Sequence, residues 1–118
     1  MIRYNDKFDP PAPVLNITVT AIVQRRPRIE VPALVDTGSD MTAIPEAFVE
    51  RLSLYPFSRI QVEGFSTESV SVFTYAARVI LQQGEPQEVE VILTELPFAI
   101  LGRDVLNEFY LYLQGPKQ

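Results

Sequence analysis

The sequence predicts one mostly β domain with one or two short helices. Several stretches alternate apolar and polar residues with a period of two, and clusters of glycine and proline separate them. Only two short windows suit a helix. The chain has 118 residues, of which 47% are hydrophobic, which is enough for a single core. We therefore expect one domain over residues 1–118.

The first elements are an arm, a strand and a basic turn. Residues 1–13 contain three prolines in four positions, which favours an extended N-terminal arm. Apolar residues alternate with polar ones over 15–23, and this pattern is typical of a half-buried strand. The turn predicted at 24–28 holds a cluster of three arginines, and we expect it to be solvated.

A second strand is predicted at 29–35, where Pro32 indicates an edge or a bulge. This strand leads directly into Asp36. Further along, a short helix is predicted over 45–52, because a proline fits the first turn of a helix and acidic residues follow it.

The second half of the chain predicts a long hairpin, a strand and a buried central strand. Residues 59–63 and 69–81 alternate in polarity and flank a turn at 64–68, so they are expected to pair. Residues 87–93 alternate again. Residues 98–101 form a short apolar run of the kind found in central strands.

The C-terminal part predicts two helical turns over 103–109 and a last strand over 110–113. No internal repeat and no linker composition is visible along the chain, in agreement with one domain.

The composition excludes several functional classes. Ten lysines and arginines against 15 acidic residues give a formal net charge of −5, which disfavours nucleic acid and anionic membranes as partners. There is no cysteine and no histidine, which removes disulfides, thiolate nucleophiles, Cys/His zinc sites and histidine-based triads. Carboxylates are therefore the leading candidates for catalysis without an organic cofactor.

The N-terminal residues are polar where the apolar core of a signal peptide would begin. No apolar stretch reaches the roughly 20 residues of a membrane span. A soluble, cytoplasmic protein without membrane association is expected.

Asp36 stands at the end of an apolar strand and is followed by Thr37, Gly38 and Ser39. Gly38 permits a tight turn in which its N–H approaches the carboxylate. The Thr37 hydroxyl can fix the turn, and Ser39 can donate a further hydrogen bond to the carboxylate. The pattern predicts a rigidly held Asp36.

One carboxylate is not enough to hydrolyse an amide, because water must lose a proton while the substrate gains one. Two carboxylates that share a proton can do both. Asp-Thr-Gly occurs once in the chain. A two-fold homodimer, in which each subunit contributes Asp36, would supply the pair.

The segments LVDTGS (34–39) and ILG (100–102) resemble, in this order, the motifs of retropepsin-type aspartic proteases, the single-lobe homodimeric relatives of the pepsins. The resemblance covers roughly residues 15–114. It implies an all-β, retropepsin-like single lobe with a flap hairpin. The helix predicted after the first motif is closer to cellular and bacterial members than to viral ones.

The resemblance implies roles for the Asp-Thr-Gly residues. Asp36 would be the catalytic acid and base, together with the partner subunit's Asp36. Thr37 would bind the equivalent loop of the partner. Gly38 would donate its N–H to the carboxylates and present its carbonyl to substrate.

The second motif would support the first. Ile100, Leu101 and Gly102 would form a strand that crosses behind the loop. Arg103 would form an ion pair with Asp40 and brace the loop.

The turn between the two hairpin strands would be the flap. Gly64, Phe65, Ser66 and Thr67 would contact substrate, although this segment lacks the glycine-rich tip of viral relatives. The predicted last strand, 110–113, would suit a dimer sheet.

The function implied is that of an aspartic endopeptidase, active as a homodimer on extended peptides, with no metal and no cofactor. Two alternatives stay open at this point. The chain can be a non-catalytic peptide-binding or dimerisation module on the same fold, or a domain that processes only its own precursor.

Overall fold

The computed structural model describes residues 4–8, 10–63, 69–82 and 84–109. In these ranges the chain forms strands and two short helices. The elements are, in order, β1 (Tyr4–Asn5), β2 (Ala12–Thr20), β3 (Ile29–Val35), β4 (Ala43–Pro45), α1 (Phe48–Arg51), β5 (Pro56–Glu63), β6 (Ser69–Leu81), β7 (Gln87–Thr94), β8 (Ala99–Leu101) and α2 (Arg103–Leu106).

The strands form one mixed sheet in the order β1-β2-β3-β8-β4-β7-β6-β5. β2 also pairs with β6, so the sheet closes back on itself. β8 lies parallel to β3, and β4 lies parallel to β7, whereas the other pairs are antiparallel. This architecture confirms the prediction of a mostly β single lobe with two short helices.

The core lies inside the closed sheet and under the two helices. Along β3 every second residue is buried, which is the period of a strand with one face on the core. Burial of each such aliphatic side chain contributes about 1.5–3 kcal/mol to the free energy of unfolding. Fully buried apolar residues include Ile17, Val19, Ile44, Leu52, Ala77, Val79, Val91, Leu101 and Val105.

The long hairpin and the central strand are confirmed. β5 and β6 pair antiparallel from Glu63–Ser69 back to Pro56–Tyr75, with a bulge between Pro56 and Ser58. β8 lies between β3 and β4, as the apolar run at 98–101 predicts.

The prediction of a helix over 45–52 is mostly wrong. Pro45 is the last residue of β4, and the helix is the single turn Phe48–Arg51. Ala43–Pro45 pairs with Ile92–Thr94 of β7, and all three β4 residues are buried. This tertiary pairing outweighs the local preference of proline for a helix start.

The N-terminal arm differs from the extended form predicted over 1–13. Tyr4–Asn5 pairs antiparallel with Ala12 and Pro13. The Asn5 side chain accepts a hydrogen bond from the Lys7 N–H at 2.8 Å, and such local bonds favour turns. The proline-rich segment therefore follows a turn and returns along β1.

β2 ends at Thr20, three residues earlier than predicted. The predicted strand 110–113 lies outside the described residues.

Across the ranges that the structure describes, neither helix has the length and apolar character needed to cross a membrane.

Candidate active site

Asp36 lies directly after β3 and is anchored to β8. Its backbone N–H donates a hydrogen bond to the Leu101 carbonyl at 3.0 Å, which continues the parallel register in which Val35 faces Leu101. Its carbonyl accepts the N–H of Ser39 at 3.2 Å and closes a tight turn. The backbone on both sides of the side chain is therefore fixed, while Asp36 itself is half-buried.

The carboxylate of Asp36 is held by the turn that follows it. The Gly38 N–H donates to Oδ1 at 3.0 Å, as the sequence predicts. A Cβ on Gly38 would lie 3.3 Å from the same oxygen, so a glycine lets the backbone come this close. Thr37 and Gly38 are exposed beside the carboxylate.

The prediction for the Ser39 hydroxyl is wrong. Its Oγ donates to the Met41 carbonyl at 2.8 Å and not to the Asp36 carboxylate. A serine hydroxyl readily bonds a backbone carbonyl two residues away. Ser39 therefore supports the exit of the loop, and the backbone N–H of Gly38 holds the carboxylate.

The second motif lies directly behind this loop. The Arg103 N–H donates to the Ser39 carbonyl at 2.8 Å. Gly102 is buried, and a Cβ there would lie 2.6 Å from the carbonyl carbon of Met41 and 2.7 Å from its oxygen. The structure thus brings 100–102 and the Asp36 loop into backbone contact, as predicted.

Asp104, which is half-buried, and Thr42, which is buried, form a link that the sequence does not predict. The Thr42 hydroxyl donates to Asp104 Oδ1 at 2.7 Å, and the Thr42 N–H donates to Oδ2 at 3.0 Å. The same hydroxyl accepts the N–H of Gly102 at 3.1 Å. The only sequence signal is an acid in the first turn of α2, and its partner lies 62 residues away.

Asp40 and Arg103 form the predicted ion pair through Oδ1 and a terminal guanidinium nitrogen. The side chains are 80% and 49% exposed. Exposed pairs of this kind contribute up to about 1 kcal/mol, so the brace is weak compared with the backbone contacts beside it.

The base of the β5–β6 hairpin carries a cluster of polar side chains. The Ser58 hydroxyl donates to Glu90 Oε1 at 2.6 Å and lies 2.8 Å from the Thr74 hydroxyl. Hydrogen bonds from Ser58 and Thr74 lower the pKa of Glu90 below its ordinary value of 4.5. The predicted flap residues Gly64, Phe65, Ser66 and Thr67 lie outside the described residues.

An apolar surface adjoins Asp36. Leu34 and Ile100 face each other in the β3–β8 register and are half-buried, while their neighbours along each strand are buried. They therefore lie on the sheet face opposite the core. Phe98 packs edge-on against the Phe8 ring, with 5.3 Å between ring centroids.

Among the side chains that the structure describes, no three acidic groups come together where a metal ion could be held. The chemistry available at this loop is that of a fixed, half-exposed carboxylate next to apolar surface.

The model of the family described as "gag-polyprotein putative aspartyl protease" matches residues 21–108, a range that includes both motifs. No curated protein matches the chain.

Several solved viral structures are similar in fold. The protease of simian foamy virus (mac) superposes with a TM-score of 0.60 at 19% identity, over 80% of this chain and 91% of that one. The EIAV protease in complex with the inhibitor HBY-793 gives 0.59 at 22% identity, over 95% and 100%.

A foamy viral protease-reverse transcriptase in complex with an RNA/DNA hybrid gives a TM-score of 0.59 at 20% identity, over 86% of this chain and 13% of that longer one. These likenesses confirm the retropepsin-like fold. The closer resemblance to cellular and bacterial members stays a prediction.

Proposed function

The chain belongs to the family described as "gag-polyprotein putative aspartyl protease", and we propose that it is an aspartic endopeptidase that works as a homodimer. Asp36 and the partner subunit's Asp36 would together activate a water molecule for attack on a peptide carbonyl. No covalent intermediate, metal or cofactor takes part in this mechanism.

The observation that carries the proposal is the setting of Asp36. Its carboxylate is fixed by the Gly38 N–H, its backbone is bound to Leu101, and it stays half-exposed. A rigid carboxylate at the surface can meet an identical one across a two-fold axis. Two acids in close contact cannot both be charged, so one would take the proton of water while the other donates to the substrate.

The apolar surface beside Asp36 supports a peptide as the substrate. Leu34 and Ile100 lie half-buried on the face opposite the core, where apolar side chains of a peptide can pack. An extended peptide also offers backbone groups to the β structure around it. The proposed substrate is therefore an extended peptide with apolar side chains near the cleaved bond.

The direct test is cleavage of a peptide library, read by mass spectrometry, by the full chain and by Asp36→Asn. This change keeps the shape of the side chain and removes its acid–base function, so cleavage should fall by about 100- to 10,000-fold. The matched control is Asp6→Asn, at an exposed aspartate outside the loop, which should cleave like the unchanged chain. Equal cleavage by Asp36→Asn contradicts the proposal.

The same assay separates the two alternatives. Cleavage of a longer precursor that contains this chain, without cleavage of added peptides, would indicate a self-processing domain. Failure in both formats would indicate a non-catalytic module.

The shared dyad has its own test. The Asp36→Asn variant is added to the active chain at equal concentration, and the mixture is incubated until the dimers have exchanged subunits. If both carboxylates are needed, only about a quarter of random dimers keep two Asp36 residues, and the activity falls by half relative to the active chain alone. Activity that is unchanged by the added variant, at concentrations where sedimentation shows mixed dimers, contradicts a shared dyad.

A further inference from the structure

An apolar groove of about 560 Å³ lies between the segment 21–24 that follows β2, the segment 53–57 that leads into β5, and Ala76 of β6. Large apolar side chains on its walls face solvent. The exposed fractions are 89% for Val23, 80% for Tyr55 and 65% for Phe57. Contiguous exposed apolar surface of this kind marks interaction sites.

The exposure of Phe57 is fixed by the backbone. The register of β5 against β6 shifts between Pro56 and Ser58, which leaves Phe57 without a partner residue. The Ser58 N–H then bonds the Thr74 hydroxyl at 3.1 Å and fixes the strand directly after the bulge. Bulges commonly re-aim a side chain, and here the bulge directs an aromatic ring to the groove.

The opposite wall is also fixed. A terminal nitrogen of Arg78 donates to the Ile22 carbonyl at 3.3 Å. The Arg78 side chain is only 15% exposed and pairs with Glu88 at 3.5 Å. The segment 21–24 is therefore tied to β6, and the groove is formed before any partner arrives.

The groove continues into a local positive patch on an acidic chain. Directly beyond Gln24, which lines the groove, the exposed residues Arg25, Arg26 and Arg28 follow. Within the described part of the chain, none of these three forms an ion pair. The whole chain carries a net charge of −5, so the patch favours a short acidic segment over an extended polyanion.

The groove is separate from the Asp36 loop. The segment 21–28 connects β2 to the first residue of β3, Ile29, which pairs with Val19. Asp36 follows the last residue of β3, at the opposite end of the strand. A strand rises about 3.3 Å per residue, so the seven residues of β3 place the two sites roughly 23 Å apart.

We propose that this groove docks an acidic segment of another protein through an aromatic or aliphatic anchor. The anchor packs against Tyr55 and Phe57, and the acidic residues beside it meet the arginines of the 25–28 turn. Aromatic residues and arginine together are typical of the energetically important centre of protein interfaces. This inference goes beyond proteolysis and does not require it.

The test measures binding of a short fluorescein-labelled peptide by fluorescence anisotropy. The peptide carries one phenylalanine and one leucine among aspartates, glutamates and serines. The full-length Asp36→Asn chain is used, so that peptide cleavage cannot complicate the measurement. A peptide with lysine in place of each acid, and one with serine in place of both apolar residues, should bind at least about tenfold more weakly.

Matched variants locate the site. Phe57→Ala should weaken binding by about tenfold or more, as expected for a central anchor, and Arg25→Glu by about fivefold. Phe73→Ala removes another exposed phenylalanine outside the groove, and Lys7→Glu reverses another exposed cation. Both controls should change the affinity by less than about twofold.

Amide NMR spectra give the location independently of the variants. Shifts confined to 21–28 and 53–57 support the proposal, and shifts centred on 36–40 overturn it, because they place the peptide at the Asp36 loop. Absence of binding also overturns it. Tight binding of the lysine peptide also overturns it, because the acidic residues would then not be needed. Binding of an anionic vesicle or a DNA oligomer that Phe57→Ala does not weaken overturns it as well, because charge alone would then explain the interaction.

Discussion

The Asp36 loop, which leaves the sheet, and the β5–β6 hairpin, which is part of it, are held in place by different hydrogen bonds. The loop is held by backbone hydrogen bonds to Leu101 and Arg103 and by the partly buried link between Thr42 and Asp104. In the hairpin, Val70 and Phe73 are exposed. The side-chain hydrogen bonds of its described part lie at its base, around Ser58 and Thr74.

The difference indicates which region should be more sensitive to substitutions and which to solvent conditions. Buried bonds have no competition from water, so breaking one leaves an unpaired group and costs more than the bond itself contributes. Bonds between exposed groups can be replaced by water. We therefore expect the Asp36 loop to tolerate few changes, and the hairpin to respond to conditions such as pH.

The largest effect is expected from Gly102→Ala. The backbone angle φ at Gly102 is −90°, which any residue can adopt, so the cost is purely steric. The new Cβ would lie 2.6–3.0 Å from backbone atoms of Met41, and backbone cannot move aside as a side chain can. The free energy of unfolding should fall by about 3 kcal/mol or more, measured by urea denaturation.

Gly84→Ala is the control for Gly102→Ala. Its Cβ would lie 3.2 Å from the Phe109 ring, which is exposed and can shift, and 3.6 Å from the Leu81 Cβ, which is an ordinary contact. A loss below about 1 kcal/mol is expected. Equal losses for the two glycines would show that the Asp36 loop is no tighter than the β6–β7 turn.

Thr42→Val should have the second-largest effect on the free energy of unfolding. The variant has the same shape but leaves the Gly102 N–H without its partner, in a site where Thr42 is fully buried. It also removes one of the two hydrogen bonds to Asp104 Oδ1, which keeps the bond from the Val105 N–H. We expect a loss of about 2 kcal/mol in the free energy of unfolding. Thr20→Val changes an equally buried threonine whose hydroxyl, within the described part of the chain, bonds only the adjacent Ala21 carbonyl. It should cost about 1 kcal/mol or less. A loss for Thr42→Val no larger than this control would contradict the structural role of the link.

Much of the fold is predictable from the sequence because the strands have one buried face. Alternation along β3 and β6 marks these strands, and the apolar run before Gly102 marks β8. Pro45 leads to a wrong helix prediction, because its place in β4 depends on pairing with β7, which is distant in the sequence. The turn at Asn5 is missed because prolines alone suggest an extended arm.

In the candidate site, too, local features are predictable from the sequence and distant contacts are not. Asp36 and Gly38 are identified by a contiguous motif whose chemistry is local, and Gly38 binds the carboxylate as expected. A serine hydroxyl can bond a side chain or a nearby backbone carbonyl, and the sequence does not determine that Ser39 bonds the Met41 carbonyl. Thr42 and Asp104 look like ordinary polar residues until the fold brings them together.

The hairpin base should respond to pH through Glu90. Bonds from Ser58 and Thr74 lower its pKa below 4.5, so the folded state prefers the charged form more than the unfolded state does. Their stabilisation is complete above the unfolded pKa and is lost as pH falls through the folded pKa. Glu90→Gln should therefore destabilise the protein at neutral pH, with a difference from the unchanged chain that shrinks as the pH falls below 4.5.

A double-mutant cycle with Ser58→Ala identifies the bond responsible. The effects of Ser58→Ala and Glu90→Gln should be non-additive at neutral pH and become additive in acid, measured by urea unfolding across the pH range. A difference between Glu90→Gln and the unchanged chain that stays constant with pH would show that the cluster does not make the hairpin pH-dependent.

The smallest effect is expected from Arg103→Ala, although its ion pair with Asp40 is the most visible contact of the loop. Both side chains are largely exposed, and the Arg103 N–H, which bonds Ser39, is unchanged by the substitution. The free energy of unfolding should fall by no more than about 1 kcal/mol. About 1 M NaCl, which screens exposed charges to about 3 Å, should remove most of the difference between the variant and the unchanged chain. A loss above about 2 kcal/mol that persists in salt would contradict the distinction between the two regions, because a solvent-exposed pair would then hold the loop as firmly as its buried bonds do.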